Sequence, residues 1–136
     1  MNERASLYLS LVLNLLGKMR NLFTLDNCDI KKLKASKLRK DYDAVTRSLL
    51  PRALAEFYNN YGFEAREEPD HLVTMLAFMA QLARDESQES LKAQLRFLNS
   101  HLIPTVKYGV EACPSLKALL EILEADAEEV KKRLHV

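Results

Sequence analysis

Pro69-Asp70-His71-Leu72-Val73-Thr74-Met75-Leu76-Ala77-Phe78-Met79-Ala80-Gln81-Leu82 is the stretch that decides the fold. Proline is favoured at the first position of a helix, where its missing N–H has no partner to lose. An acidic residue in the first turn is favoured by the helix dipole. The stretch therefore predicts a helix from Pro69 to roughly Arg84, with Leu72, Met75, Leu76, Met79 and Leu82 on its inner face.

Working towards the N-terminus, a short acidic loop, Phe63 to Glu68, precedes this helix, and Gly62 is placed to stop the one before it. That earlier helix starts near Pro51 and carries Leu54, Phe57, Tyr58 and Tyr61. Before it, Leu38, Tyr42, Val45 and Leu49 recur at helical steps, and Asp29 is placed to cap a short helix through Leu33. Ala5 to Leu16 reads as a largely buried first helix. Its apolar face of Leu7, Leu11 and Leu15 is broadened by Tyr8, Val12 and Leu16, and its narrow polar stripe runs through Ser6, Ser10 and Asn14.

Towards the C-terminus, Ser87 opens a helix on which Leu91, Leu95, Leu98 and Leu102 form a line until Pro104 interrupts it. Two shorter helices follow, Ser115 to Leu123 and Asp126 to about Leu134, each opened by a capping residue, and His135 falls in the terminal turn. No stretch alternates as a strand would. The expected fold is all-α, a single-domain bundle of about six to eight helices over residues 1–136.

Composition narrows the function. Lys and Arg number 20 against 19 Asp and Glu, a formal net charge of +1, so no overall field draws the chain to nucleic acid or anionic lipid. Ala5 to Leu16 is too short to span a bilayer, and no small-residue cleavage site follows it. Neither stable membrane insertion nor a signal peptide is expected. Cys28 and Cys113 belong to no C-x-x-C pair and read as separate buried thiols of a reducing compartment rather than as a structural disulfide. Lys31, Lys32, Lys34, Lys37, Arg39 and Lys40 read as a solvated basic face, with a protein-binding adaptor as the functional alternative.

Three pieces between Leu38 and Glu111 resemble the TorD/DmsD/NarJ-type family of redox-enzyme maturation chaperones. They are Leu38-Arg39-Lys40-Asp41-Tyr42; Tyr61-Gly62-Phe63 leading into Glu68-Pro69-Asp70-His71-Leu72 and Leu76-Ala77-Phe78-Met79-Ala80-Gln81-Leu82; and Phe97-Leu98-Asn99-Ser100-His101-Leu102-Ile103-Pro104. The middle piece is the most specific. Between the first two, Thr46 to Pro51 replaces a loop of the relatives. The resemblance implies an all-helical, cytoplasmic chaperone, monomeric or homodimeric. It would bind the twin-arginine leader, the apo form, or both, of a molybdenum-containing oxidoreductase subunit until its cofactor is installed.

The family pattern marks Asp70 and His71 as functional. A cationic leader gives Glu68 and Asp70, with Glu64 and Glu67 beside them, the task of pairing with guanidinium groups. Its apolar segment needs a groove, for which Met75, Phe78 and Met79 are candidates, Phe78 foremost. Tyr42 and His101, from the outer two pieces, complete the candidate peptide-binding set. The competing enzymatic reading is a small hydrolase or metal-dependent enzyme using Asp70, His71 and His101. Adjacent helical residues point about 100° apart, and no His-x-x-x-His or cysteine cluster accompanies them, so no enzyme, cofactor or metal is expected.

Overall fold

In the computed structural model, which describes residues 2–134, the chain runs through α1 (Glu3–Leu15), α2 (Ala35–Leu38), α3 (Ala44–Ser48), α4 (Leu50–Asn60), α5 (Leu72–Leu82), α6 (Gln88–Phe97), α7 (Ile103–Ala112) and α8 (Lys117–Leu134). Short 3-10 turns stand at Ile30–Lys32 and Pro114–Leu116, and a π turn at Leu98–Leu102. The only extended pairing among the described residues is one antiparallel bridge between Lys34 and His71. The all-α expectation holds; His135 lies outside the described residues.

The central helix is α5, buried on most of its circumference and packed lengthwise on α1. Its aromatic side is built around Phe78, whose ring lies 4.7 Å from Tyr58, 4.9 Å from Phe97 and 5.5 Å from Phe63. These contacts bring α4, α6 and the loop after α4 onto one core. Gly62 takes a left-handed φ of +72° just past α4, the conformation that makes glycine a helix stop. Ser87 caps α6 by accepting from the Ser90 N–H, and Asp29 caps its turn by accepting from Lys31.

Four expectations are revised. Leu38, Tyr42, Val45 and Leu49 do not form one buried face, because Arg39 to Asp43 turn the chain between α2 and α3. Arg39 spends its guanidinium on Asp41 and on the Ser100 carbonyl, and Val45 and Leu49 are left 73% and 58% exposed. Pro104 does not stop its helix. Proline has no N–H for the Ser100 carbonyl four residues back, so the helix widens into a π turn and Arg39 donates to that carbonyl at 3.0 Å. In the polar stripe of α1, Asn14 is buried, and its side-chain oxygen accepts from the Leu22 and Phe23 N–H groups, each at 3.3 Å.

The third concerns the cysteines. Cys28 and Cys113 are joined in a disulfide, their Cα atoms 5.4 Å apart and 85 positions apart in sequence. Sequence spacing alone conceals this because the fold, not the chain, brings the irregular segment after α1 against the corner between α7 and α8.

The fourth concerns Asp126, which is not a cap, since α8 runs unbroken through it. Its carboxylate receives both ends of the Arg4 guanidinium, at 2.8 and 2.9 Å, and the Tyr8 hydroxyl at 2.5 Å. Arg4 also donates to Gln94, whose amide in turn donates to the Leu82 and Asp85 carbonyls. Burial first, then the Asp126 charge, raises the Tyr8 phenol well above its ordinary pKa, so it remains a donor. Every buried side-chain nitrogen and oxygen among the described residues has a partner, and α1, α6 and α8 are thereby fixed in one register.

Asp126→Ala leaves a buried guanidinium without its carboxylate and is expected to cost about 3–5 kcal/mol, read from the urea midpoint. An Arg4→Met/Asp126→Leu pair should recover most of that loss. His101 packs against Phe57 and Phe97, and burial first, then the Arg39 charge, lowers its pKa to about 4. The unfolded imidazole takes up a proton near its ordinary value of 6.5 and the folded one does not. Stability should therefore fall as pH drops from 6.5 towards 4, and His101→Gln should flatten that part of the curve.

Candidate functional site

The turn Glu68 to His71 places the site. Helix α5 begins at Leu72, not Pro69, so Asp70 lies outside the first turn and faces α2. Asp70 is 2% exposed; its Oδ2 accepts from the Ser36 N–H at 2.9 Å and its carbonyl from the Ala35 N–H at 2.9 Å. The Leu72 N–H donates to the Leu33 carbonyl at 2.9 Å, completing a two-way backbone exchange. The Asp70 carboxylate is thus engaged in starting α2, through its Oδ2.

His71 is the N-cap of α5. Its Nδ1 accepts from the Val73 N–H at 3.0 Å, so the ring proton sits on Nε2, which donates to the Ile30 carbonyl at 2.8 Å. One imidazole thus starts the central helix and holds the turn at Ile30–Lys32 against it. Tyr58 supports the same corner from behind, its hydroxyl donating to the Pro69 carbonyl at 2.7 Å. Outside it, Lys34 pairs with Glu68, and that hydrogen bond holds the Glu68 carboxyl below the usual range.

Beside this corner opens a hollow of about 450 Å³ lined by Leu16, Ile30, Val73, Thr74 and His71, with Lys31, Glu67 and Glu68 at its rim. A second hollow of about 310 Å³ shares Glu67, Val73 and Thr74 with it and extends past Ala77, Phe63 and Glu64. The two adjoin along the side of α5 that carries Val73 and Ala77 and are together termed the groove. Its floor is largely apolar, and its rim carries the exposed carboxylates of Glu64, Glu67 and Glu68 together with the exposed cations Lys31 and Arg66. Such a surface can take an extended or helical apolar segment with cationic groups at one end.

The residues expected to share a peptide site divide into three groups. Glu68 and His71 stand at the groove, Glu68 at the rim and His71 in the wall. Met75 and Phe78 do not line it: both are core residues, because the inner face of α5 is taken up by α1 and by the aromatic cluster. Tyr42 and His101 belong to a separate neighbourhood organised by Arg39, whose guanidinium lies 4.6 Å over the Tyr42 ring and bonds the π turn carrying His101. His71 and His101 therefore have different partners, and among the described residues no three His, Cys, Asp or Glu side chains gather as a metal shell.

The sequence reading missed Leu16, Ile30, Val73, Thr74 and Ala77 as groove residues. A signal for two of them was present. Val73 and Ala77 lie four residues apart on the outer side of a helix whose inner side is already complete, and apolar groups there lack a partner. Leu16 and Ile30 carry no such signal, since Leu16 reaches α5 through the packing of α1 on it and Ile30 through its hydrogen bond from His71.

No helix among the described residues is long and apolar enough to cross a membrane. Residues 29–107, more than half of the chain, match the family model described as nitrate reductase delta subunit. The matched span opens at the Asp29 cap, contains the latch and the α5 wall of the groove, and closes in α7. The chain belongs to the nitrate reductase delta subunit family, and hence to the chaperones of redox-enzyme maturation.

Proposed function

We propose that this protein acts in the cytoplasm on the twin-arginine leader of a molybdenum-containing oxidoreductase subunit, holding the apo subunit back until its cofactor is in place. Family membership supports molybdoenzyme maturation. The observation that carries the leader assignment is the pair of adjoining hollows beside α5, with a largely apolar floor and three carboxylates, Glu64, Glu67 and Glu68, on the rim. A twin-arginine leader has the matching order of parts, two guanidinium groups followed by an apolar run.

In this reading Glu67 and Glu68 receive the arginines. Guanidinium and carboxylate make paired, charge-assisted hydrogen bonds, and an arriving arginine takes over Glu68 from Lys34. The apolar run lies over Val73, Thr74 and Ala77, flanked by Leu16 and Ile30 on one side and Phe63 on the other. Asp70 and His71 contribute by holding the walls. Release follows from the same physics: rim ion pairs exposed to solvent are weak and salt-sensitive, so the leader is held without being trapped.

Calorimetry with a synthetic twin-arginine leader peptide tests this. Glu67→Gln/Glu68→Gln should weaken binding about tenfold, the equivalent of roughly 1.4 kcal/mol, with little change in thermal midpoint. Replacing the peptide's arginines by lysine should weaken it too, and Val73→Arg should abolish it by filling the groove. Asp70→Ala should instead lower the thermal midpoint, losing a cap of about 1 kcal/mol. Unchanged affinity in both the Glu67/Glu68 and Val73 variants would place the leader elsewhere.

A further inference from the structure

We propose that the Cys28–Cys113 pair is a redox-sensitive strap whose closure fixes one wall of the groove. The inference about peptide affinity rests on the groove being the leader site; the strap itself does not.

Between α1 and the turn at Ile30–Lys32 the chain has no regular structure, and its anchors are few. Asn14 holds Leu22 and Phe23. Beyond them, Asp26 N–H donates to the Ser115 hydroxyl at 3.2 Å and Cys28 is bonded to Cys113, so the 3-10 turn after α7 supplies both remaining ties. Asn27 between them takes a left-handed φ of +58°, which asparagine tolerates best among residues with a side chain. Two residues after Cys28 comes Ile30, which lines the groove and accepts from His71. Opening the disulfide leaves residues 24–29 held to the body of the protein by the Asp26–Ser115 hydrogen bond and the partly buried Leu25, with the groove wall directly downstream.

The chemistry has a direction. Cys113 is buried and Cys28 is half-buried, so an external thiolate reaches the Cys28 sulfur first. Attack there forms a mixed disulfide on Cys28 and expels the Cys113 thiolate; a second external thiol then attacks the mixed disulfide and leaves two protein thiols and one small disulfide. Closure is the reverse, with a low-molecular-weight disulfide or an oxidised dithiol protein accepting the two electrons as two thiols. The Ser115 hydroxyl lies 3.4 and 3.3 Å from the two sulfurs. Its oxygen is already accepting from Asp26, so its proton is available to the leaving Cys113 thiolate. In a reducing compartment a disulfide of this kind is usually a transient, redox-sensing one.

Hydrogen exchange of the whole chain, oxidised and in millimolar dithiothreitol, tests the strap without any ligand. Reduction should speed exchange at residues 24–31 at least tenfold and leave α8 protected, and Cys28→Ser/Cys113→Ser should match the reduced form whether or not dithiothreitol is present. Calorimetry with the twin-arginine peptide should show affinity at least threefold weaker for the reduced and the double-serine forms. A disulfide that stays closed in dithiothreitol, or exchange at residues 24–31 that does not respond to reduction, overturns the strap. Responsive exchange with equal peptide affinity in both redox states overturns its control of the groove. Responsive exchange in a protein that binds the peptide in neither state supports the strap and rejects the leader assignment instead.

Discussion

The exchange between the Asp70-His71 turn and the segment from Ile30 to Ser36 is the constraint on which the rest of the molecule depends. Two backbone hydrogen bonds, the Asp70 carboxylate on Ser36 and the His71 ring on Ile30 join stretches of chain about forty residues apart at one corner. The corner starts α5 and orients α2, and through Arg39, which follows α2, it reaches the π turn before α7. None of its members is chemically unusual. What makes them effective is that each polar group at the corner serves two elements at once, so the helices cannot slide independently.

This arrangement changes the meaning of the most specific sequence motif. Pro69-Asp70-His71-Leu72 looks like an exposed recognition element, because an acidic residue and an imidazole at a helix start are chemically versatile. In the fold both side chains are committed, and the groove beside them is lined by neighbours: Glu67 and Glu68 ahead of the turn, Val73 and Ala77 after it. Function at this site is therefore a property of position, with the motif acting as the hinge post rather than the hand.

Much of the fold was legible because local rules and tertiary packing agree. The inner face of α5, the Gly62 stop, the Ser87 cap and the Asp29 cap all appear where periodicity and capping chemistry put them. The misses share one cause, a partner distant in sequence. Asp126 looked like a cap because nothing local shows Arg4 arriving from the other end of the chain. Pro104 looked like a stop because its orphaned Ser100 carbonyl is satisfied by Arg39. The two cysteines looked unrelated until α7 and α8 turned past the first loop.

Of the candidate site, the acidic residues of the rim were legible as a run of charge and the floor was not, since part of it comes from Leu16 and Ile30, far from α5 in sequence. The account therefore stands on the location of bound leader. Hydrogen exchange with and without a saturating twin-arginine peptide measures that directly. Added protection should fall on residues 63–77 and on 16 and 30–31, leaving α3 and the π turn at 98–102 unchanged. Protection centred on Tyr42, Val45, Leu49 and His101, with residues 63–77 unaffected, would contradict it.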